Sequence, residues 1–234
     1  MERVKLIEKI KRTPTIESFR FLPEKKIEFI SGQFSQIIFD VDDLENKELN
    51  KYLSFSSSPT KKYIEFTKRL SESEFSQELR NLKIEDTIYI KGPLGSCVFE
   101  KRYKKIIFLI GGIGITPVIS ILEYIVDNKI DTDTYFFYSS RREEEIAFKN
   151  KLDNWCKINS LIKIFYFVTD YPPKGKNCIY GVIDKGLLRE KVKDLKGRII
   201  FTFGPPKMVK AMYELSKELG CEEKNIKTEN FVGY

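Results

Sequence analysis

The apolar positions fall into two patterns along the chain. In the first hundred residues, short apolar stretches are separated by turn residues, among them Gly32, the Ser57-Ser58-Pro59 run and Gly92-Pro93. Such spacing predicts short strands in an antiparallel barrel or sandwich. Ser73 is placed to cap one interrupting helix, which carries Phe75 and Leu79 on one face. The predicted strands cover residues 27–30, 34–39, 63–66 and 87–90.

From Lys104 onward, apolar strands alternate with helical stripes. We predict strands over residues 106–110, 134–139, 162–168, 198–203 and 225–228. Helices are expected over residues 118–126, around Leu152, and along the stripe of Met208, Met212, Leu215 and Leu219, which we interpret as core packing. Repeated strand–helix units predict a doubly wound parallel sheet with helices on both faces. The pattern changes in the charged stretch 100–105, so we expect two domains, residues 1–101 and 102–234.

Composition narrows the possible chemistry. The chain has 234 residues, 41% hydrophobic and 32% charged, which is typical of a soluble folded protein. No apolar run is long enough to span a membrane, and the first twenty residues lack a secretory signal, so we expect a cytoplasmic protein. The chain contains no histidine, which excludes imidazole catalysis and histidine metal sites. The four cysteines show no CxxC spacing, so we expect reduced thiols and no metal site.

The charge is uneven. The net charge is +7, and residues 102–234 hold 23 of the 41 basic and 17 of the 34 acidic residues, a charge of +6. This basic half suggests an anionic ligand or an acidic protein partner. Acids interrupt the basic residues, so the pattern does not favour nucleic acid. A solvated surface of lysines and glutamates is the alternative interpretation.

A glycine-rich turn follows the apolar strand 106–110, with the sequence Gly111-Gly112-Ile113-Gly114-Ile115-Thr116-Pro117. Glycines allow a close backbone approach to a ligand, and the start of the next helix can hold a pyrophosphate. We expect Thr116 to be the helix N-cap and Pro117 its first residue. The spacing is neither GxGxxG nor a P-loop, and a tight structural turn is the alternative.

Two further strand ends carry residues suited to a ligand. Gly204-Pro205-Pro206-Lys207-Met208 follows the strand 198–203, and Ser140-Arg141-Arg142 follows the strand 134–139. In a doubly wound sheet these ends meet at the carboxyl edge, where ligands bind. The guanidinium groups suit a phosphate on an adenosine ribose. The next acid is Glu143, and an ordinary helix start with exposed arginines is the alternative.

With these turns in view, the chain resembles the ferredoxin–NADP reductase family nearly end to end. The resemblance implies an N-terminal barrel that binds FAD and a C-terminal α/β domain that binds NAD(P)H. The family's Arg-x-Tyr-Ser signature matches Lys51-Tyr52-Leu53-Ser54. It implies that Lys51 faces the flavin pyrophosphate, that Leu53 packs on the ring system, and that Ser54 faces flavin N5.

The rest of the barrel adds to the resemblance. Phe66-Thr67-Lys68 is similar to the strand beside the adenosine and phosphates, and Ser73 to Ser76 is similar to the helix start that holds a second phosphate. This second anion site favours FAD over FMN. The implied flavin residues are Lys51, Tyr52, Leu53, Ser54, Ser56, Ser57, Phe66, Thr67, Lys68, Ser73, Phe75, Ser76 and Tyr234.

In the C-terminal half, both glycine turns match the family, although Phe203 stands where the family often has cysteine. The implied dinucleotide residues are Gly111, Gly112, Gly114, Thr116, Pro117, Ser140, Arg141, Arg142, Gly204, Pro205, Pro206 and Met208. The end of the chain is similar to the family's ExFxGY tail. The resemblance implies catalytic roles for Ser54, Glu229 and Tyr234, with Tyr234 covering the flavin face. A disordered tail is the alternative.

The implied activity is transfer of a hydride from NAD(P)H to the flavin and of electrons onward to a separate acceptor, for which an acidic ferredoxin or flavodoxin is a candidate. The sequence does not decide between NADH and NADPH. Two alternatives stay open, an electron-transfer flavin subunit of a larger enzyme complex and a non-enzymatic nucleotide-binding module.

Overall fold

The structure is a computed structural model that describes residues 1–175 and 177–231 of the chain. The chain divides into two compact units. Of the described residues, the first comprises Met1–Phe99 and Thr116–Asp127, and the second comprises Glu100–Ile115 together with those between Asn128 and Phe231. The domain boundary between residues 101 and 102 stays a prediction.

The first unit is built on a six-stranded antiparallel sheet with the order β4-β3-β6-β1-β2-β5. A single bridge joins Phe55, just beyond β4, to Phe66 on β5, so the two edge strands approach one another as in a barrel. This confirms the predicted antiparallel architecture. The elements are β1 (Glu2–Lys11), β2 (Ile16–Pro23), β3 (Phe34–Ile38), β4 (Asn50–Ser54), β5 (Ile64–Arg69), α1 (Glu74–Asn81) and β6 (Thr87–Leu94).

The hairpin of β1 and β2 was not predicted from the sequence. Val4 and Leu6 point into the core, while charged residues alternate with them on the other face. This alternation is the mark of a half-buried strand, and the many charges of the segment conceal it. The prediction of a strand at residues 27–30 was wrong, because Phe29 reaches the core from an irregular segment and stacks on Phe55 with ring centroids 4.0 Å apart.

Helix α1 begins as predicted. The Ser73 side chain accepts a hydrogen bond from the Ser76 backbone N–H, at 3.4 Å, in the manner of an N-cap. Phe75 and Leu79 are buried in the same core as β1, β2 and β5. The helix start is therefore fixed to the barrel by its apolar face.

The second unit contains a six-stranded parallel sheet with the order β10-β9-β8-β7-β11-β12. The chain starts at β7 in the middle, runs outward through β8 and β9 to β10, and then returns to β11 and β12 on the other side. The carboxyl ends of β7 and β11 are thus neighbours at the point where the strand order reverses. The strands are β7 (Lys105–Gly111), β8 (Asp133–Ser140), β9 (Ile162–Val168), β10 (Cys178–Tyr180), β11 (Ile199–Gly204) and β12 (Ile226–Asn230).

The helices of the second half follow the predicted order. They are α2 (Ile115–Asp127), α3 (Lys149–Ile158), α4 (Lys185–Lys191) and α5 (Pro206–Glu218), of which α4 was not predicted, nor was the short strand β10. The stripe along α5 is core packing as expected, because Met212 and Leu219 are buried and Met208 and Leu215 pack against the same cluster.

The start of α2 differs from the expectation. Gly112–Gly114 forms one turn of 3-10 helix that runs directly into α2 at Ile115. Thr116 is therefore not the N-cap, and Pro117 is the third residue of α2 rather than the first. The first helical turn thus lies within the glycine segment, and Gly112 at its start adopts a positive φ of 53°, which glycine allows.

Two further findings concern the predicted absences. Within residues 1–175 and 177–231, no helix has both the length and the apolar character to cross a membrane. All four cysteines belong to the described residues and none of them forms a disulfide there; Cys97, Cys178 and Cys221 are buried.

Candidate functional site

The segment that begins at the last residue of the signature, residues 54–61, is called the serine loop here. Ser54 ends β4 and is 7% exposed, and within the described part of the chain its hydroxyl has no hydrogen-bond partner. Leu53 packs against the barrel core, whereas Tyr52 is exposed, with its ring edge-on to Phe34 at 5.8 Å. The Ser54 hydroxyl is therefore available to a ligand at the end of the strand.

Two lysines form a positively charged site in the first unit. Lys68 on β5 is buried, and its Nζ donates a hydrogen bond to the carbonyl of Arg69 at 3.2 Å. Among the described residues no carboxylate pairs with it. Burial lowers the pKa of Lys68, and the positive charge of Lys51 lowers that pKa further. Lys51 itself has Glu48 at 4.0 Å. A buried cation without a carboxylate fits an anionic group such as a phosphate.

The start of α1 adds polar groups to the same unit. Ser71, Ser73 and Ser76 form a cluster in which the Ser73 hydroxyl donates to the Ser76 hydroxyl at 3.0 Å and the Ser71 backbone N–H donates to it at 3.2 Å. The free amides at a helix start favour an anion. These serines suit the second phosphate that FAD has and FMN lacks.

Several predicted flavin residues turn their side chains into the protein. Ser56 and Thr67 hydroxyls bond to one another at 2.7 Å, and the Ser57 hydroxyl accepts from the Glu65 backbone N–H at 2.9 Å. Phe66 and Phe75 are buried in the barrel core. These side chains shape the site from behind, and their direct contact with a flavin stays a prediction.

In the second unit, the two glycine turns pack against each other backbone to backbone. A Cβ added to Gly114 would lie 2.4 Å from the Phe203 carbonyl oxygen, and one added to Gly204 would lie 2.9 Å from the Gly111 carbonyl oxygen. A Cβ at Gly111 would meet the Met208 sulfur at 2.2 Å. Gly114 and Gly204 are therefore required for packing against backbone, whereas at Gly111 the obstacle is the end of a flexible side chain.

Gly112 differs from the other glycines of its turn. It has a positive φ of 53°, and a Cβ added there would meet nothing within 4 Å. The space beside Gly112 is thus open, at the carboxyl end of β7 and directly before the first turn of α2. A pyrophosphate fits this position, because the backbone is accessible and the helix start favours negative charge.

Ser140 ends β8 and is followed by the predicted arginine pair. The Ser140 hydroxyl is buried, and among the described residues it has no hydrogen-bond partner. Arg141 and Arg142 are exposed. Arg142 pairs through Nε with the Asp170 carboxylate at 3.3 Å and lies 5.5 Å from the centre of the Tyr171 ring.

Asp170 is a residue that the sequence analysis missed. It follows the end of β9, and its backbone N–H donates to the Arg141 carbonyl at 3.0 Å. The sequence after β8 offers Glu143 as its next acid, whereas Asp170 lies after the following strand. The parallel pairing of β8 with β9 brings the ends of these two strands to the same edge, and the predicted doubly wound sheet already implied that such ends lie at one edge.

Glu229 lies on β12, opposite Phe203 of β11 in the parallel register. It is half-buried, and the loss of water around it raises its pKa from 4.5 to about 7. A carboxyl group of this kind exchanges a proton near neutral pH. Tyr234, the third predicted catalytic residue, lies outside the described residues.

A cavity of about 650 Å³ lies at the opposite end of the parallel sheet, where β7, β11 and β12 begin. It does not include the glycine turns, and we do not assign it to the dinucleotide, because the open backbone and the unpartnered hydroxyl lie at the carboxyl ends. Its charged lining is mostly basic and comprises Glu100, Arg102, Lys104, Lys105, Lys224 and Lys227.

Comparison with known proteins agrees with this division of sites. Residues 3–99 match the family model described as the oxidoreductase FAD-binding domain, and residues 108–214 match the oxidoreductase NAD-binding domain. The chain belongs to the ferredoxin–NADP reductase family of FAD- and NAD(P)-binding oxidoreductases. The predicted fold class and cofactors, FAD and NAD(P)H, are thereby confirmed.

The chain is similar over most of its length to two named relatives. It is 27% identical to the NADH nitrate reductase 1 of Nicotiana tabacum over 230 residues, which cover 88% of this chain and 25% of that protein. It is 29% identical to NADH-cytochrome b5 reductase 1 of Aspergillus terreus over 201 residues, which cover 81% of this chain and 67% of that protein. The chain thus spans about a quarter of the length of the nitrate reductase.

One solved structure shows how completely the fold is shared. The flavohem-like FAD/NAD-binding domain of nitric oxide dioxygenase from Vibrio cholerae has a TM-score of 0.85, with 98% of each chain covered and 16% sequence identity. At this identity the similarity concerns the fold alone. Both units of the present chain therefore have counterparts in that single domain structure.

Proposed function

We propose that this protein is an NADH-dependent flavoprotein reductase that passes electrons from its flavin to a separate acceptor. When bound, FAD accepts a hydride from the nicotinamide and releases electrons to the acceptor, so the chemistry resides in the cofactors. The chain's own residues bind the two cofactors, orient them and set the local field. This division of labour is consistent with a chain that has no histidine.

The observation that carries the proposal is the buried Lys68, which lies beside Lys51 and has no carboxylate partner among residues 1–175 and 177–231. Lys51 and Lys68 would bind the flavin phosphates, and the serines at the start of α1 would bind the second phosphate of FAD. Ser54 would donate its unused hydroxyl to flavin N5. Lys51 stands where the family signature has arginine. It keeps the positive charge but cannot form the two parallel hydrogen bonds of a guanidinium group.

For the dinucleotide, Gly112 and the first turn of α2 would hold the pyrophosphate, and Gly204 would leave room for the nicotinamide. We propose NADH as the preferred donor. The Asp170 carboxylate offsets the charge of Arg142 at the place where a 2′-phosphate would need it, and it can accept a hydrogen bond from a ribose hydroxyl. The related proteins named above are also described as NADH enzymes.

Glu229 would hold and exchange a proton at its carboxyl group, because its pKa of about 7 keeps both forms present near neutral pH. Glu229 has Phe203, the neighbour of Gly204, as its register partner. Its proposed role is proton supply beside the nicotinamide-binding turn.

Two classes of electron acceptor are supported by the charge of the chain and by its relatives. The charge of +6 in residues 102–234 supports an acidic protein such as a ferredoxin or flavodoxin, since opposite charge steers electron carriers into contact. The relative named for cytochrome b5 points to a small haem protein as the other acceptor class.

A second function is favoured by one observation. The chain matches only a quarter of a nitrate reductase, in which the matched region is part of a larger protein. The present chain would then serve as the flavin subunit of a larger enzyme. Copurification with a partner at fixed stoichiometry, tested by pull-down from the native organism and mass spectrometry, separates this role from that of an independent reductase.

Anaerobic titration tests the main proposal. The purified protein is expected to carry FAD, and its visible flavin bands should bleach with one equivalent of NADH and more slowly with NADPH. The reduced protein should then be reoxidised by an acidic ferredoxin or by cytochrome b5. A protein that binds FAD and is reduced by neither dinucleotide would instead support a non-enzymatic nucleotide-binding module.

A further inference from the structure

Glu123 is a buried carboxylate on α2 that holds the serine loop. It is 5% exposed, and its Oε2 accepts a hydrogen bond from the backbone N–H of Ser58 at 2.8 Å. Ser58 is completely buried and lies four residues after Ser54. The helix that carries Glu123 thus belongs to the same compact unit as the loop it holds.

A second acid strengthens this attachment. Asp127 lies one helical turn after Glu123, so both side chains lie on one face of α2. The ammonium of Lys61 lies 2.8 Å from the Asp127 carboxylate and 3.7 Å from that of Glu123. The Thr60 hydroxyl also donates to Asp127. Residues 58–61 are therefore bound to α2 through both backbone and side chains.

The other side of the loop is held by Glu65 on β5. Glu65 is 1% exposed, and its carboxylate accepts from the Ser56 hydroxyl at 3.2 Å. Arg12 and Arg20 bond the same carboxylate at 3.0 and 2.8 Å, which satisfies its charge inside the barrel. The serine loop is thus hydrogen-bonded to two buried glutamates, Glu65 on β5 of the barrel and Glu123 on α2.

The helix that carries Glu123 also connects the serine loop to the glycine turn. The helix begins at Ile115, directly after the glycine turn that would hold the dinucleotide pyrophosphate, and Glu123 lies about two turns further along. α2 is thus continuous with the turn at its start and hydrogen-bonded to the loop at its second half. The two cofactor segments are therefore linked by one short helix.

We infer that Glu123 is a positioning residue for both cofactors, which holds the serine loop for FAD and the start of α2 for NADH. The inference rests on the proposed function for the identity of the two segments. Removing the carboxylate leaves the buried Ser58 N–H without its acceptor and Lys61 with one acid instead of two. The loop and the helix then lose their common anchor.

The test uses the full chain with the substitutions Glu123→Ala and Glu123→Gln. FAD affinity is measured by titrating the flavin-free protein, and the KM for NADH is measured with FAD saturating. We expect Glu123→Ala to raise the dissociation constant for FAD about tenfold and the KM for NADH at least about threefold, which is the scale of one lost buried hydrogen bond. Glu123→Gln keeps an oxygen for Ser58 and should show a smaller change in both quantities.

Glu214→Ala is the matched control, because Glu214 is an exposed glutamate on α5. It should change neither quantity. A loss of stability alone would lower the denaturation temperature and leave the KM at saturating FAD unaltered, so the KM separates positioning from folding. If Glu123→Ala does not fold, Glu123→Asp decides by the same two measurements, because it keeps the charge and withdraws the acceptor from the Ser58 N–H by one methylene length.

Unchanged FAD affinity and unchanged KM in a folded variant would overturn the inference. A weaker FAD complex with an unchanged KM would also overturn it, because Glu123 would then serve the loop alone. Failure of the proposed function gives a different result, namely a wild-type protein that binds FAD and is not reduced by NADH. In that case the dissociation constant of NADH, measured by fluorescence quenching, replaces the KM in the same comparison.

Discussion

Replacing Lys68 by methionine separates a binding role from a structural one, because the two roles predict opposite signs. Methionine keeps most of the apolar stem of the side chain and removes the ammonium group. In the flavin-free protein the ammonium is buried with no carboxylate partner in the described part of the chain, and burial together with the charge of Lys51 lowers its pKa. Its removal should therefore raise the free energy of unfolding of the flavin-free protein.

The effect on flavin binding should have the opposite direction. A hydrogen bond between an ammonium and a phosphate contributes roughly 1.5–3 kcal/mol, which corresponds to a factor of about 10 to 150 in a dissociation constant. We therefore expect Lys68→Met to weaken FAD binding by about this factor. Lys51→Ala, at a more exposed position, should weaken it by less.

The assay is a fluorescence titration of the flavin-free protein with FAD, combined with urea denaturation of the same flavin-free sample. Lys68→Arg is the matched control, because it retains the charge and should retain most of the affinity. An FAD affinity equal to that of the wild type in Lys68→Met would refute the assignment of this lysine to the flavin phosphates. A less stable flavin-free protein would refute the argument that the ammonium is a cost of the empty site.

Three further predictions concern the second unit. Burial raises the pKa of Glu229 from 4.5 to about 7, so the folded protein holds this proton more tightly than the unfolded chain does. The resulting contribution to the free energy of unfolding is complete below about pH 4.5 and is lost as the pH rises towards 7. Glu229→Gln should flatten this dependence by at most about 3 kcal/mol, measured by denaturation at several pH values, and an unchanged slope would contradict the raised pKa. Gly112→Ala should weaken NADH binding and lower the stability only by the cost of a positive φ. Gly114→Ala should destabilise the fold, because its Cβ would meet the Phe203 carbonyl. Equal effects of the two substitutions on thermal denaturation would show that the two glycines do not differ. Asp170→Asn should reduce the ratio of kcat/KM for NADH over NADPH, since Arg142 loses its ion pair, and an unchanged ratio would remove Asp170 from nucleotide selection.

The sequence predicted the second unit better than the first for a physical reason. Central strands of a parallel sheet are buried on both faces, so β7 appears as a continuous apolar run that is readily recognised. Strand β1 has one exposed face, and its lysines and glutamates alternate with Val4 and Leu6. In addition, the register between β1 and β2 shifts between Leu6 and Glu8, which breaks the alternation.

The site was predictable where function depends on local sequence. The glycine turns, the cap at Ser73 and the signature at Lys51 to Ser54 are contiguous motifs. Contacts across the chain were not predictable, since Glu123 and Ser58 are 65 residues apart and no periodicity connects them. The packing of Gly114 against Phe203 belongs to the same class: it gives this glycine a role in the contact between the turns, while its contact with the dinucleotide stays a prediction.

The most direct test of the central claim is the visible spectrum of the purified protein under anaerobic conditions, recorded before and after addition of one equivalent of NADH. The proposed function predicts flavin absorption bands that bleach with NADH, and FAD as the flavin released on denaturation. A colourless protein that FAD does not restore, or a flavin whose bands are unaffected by NADH and NADPH alike, would contradict it.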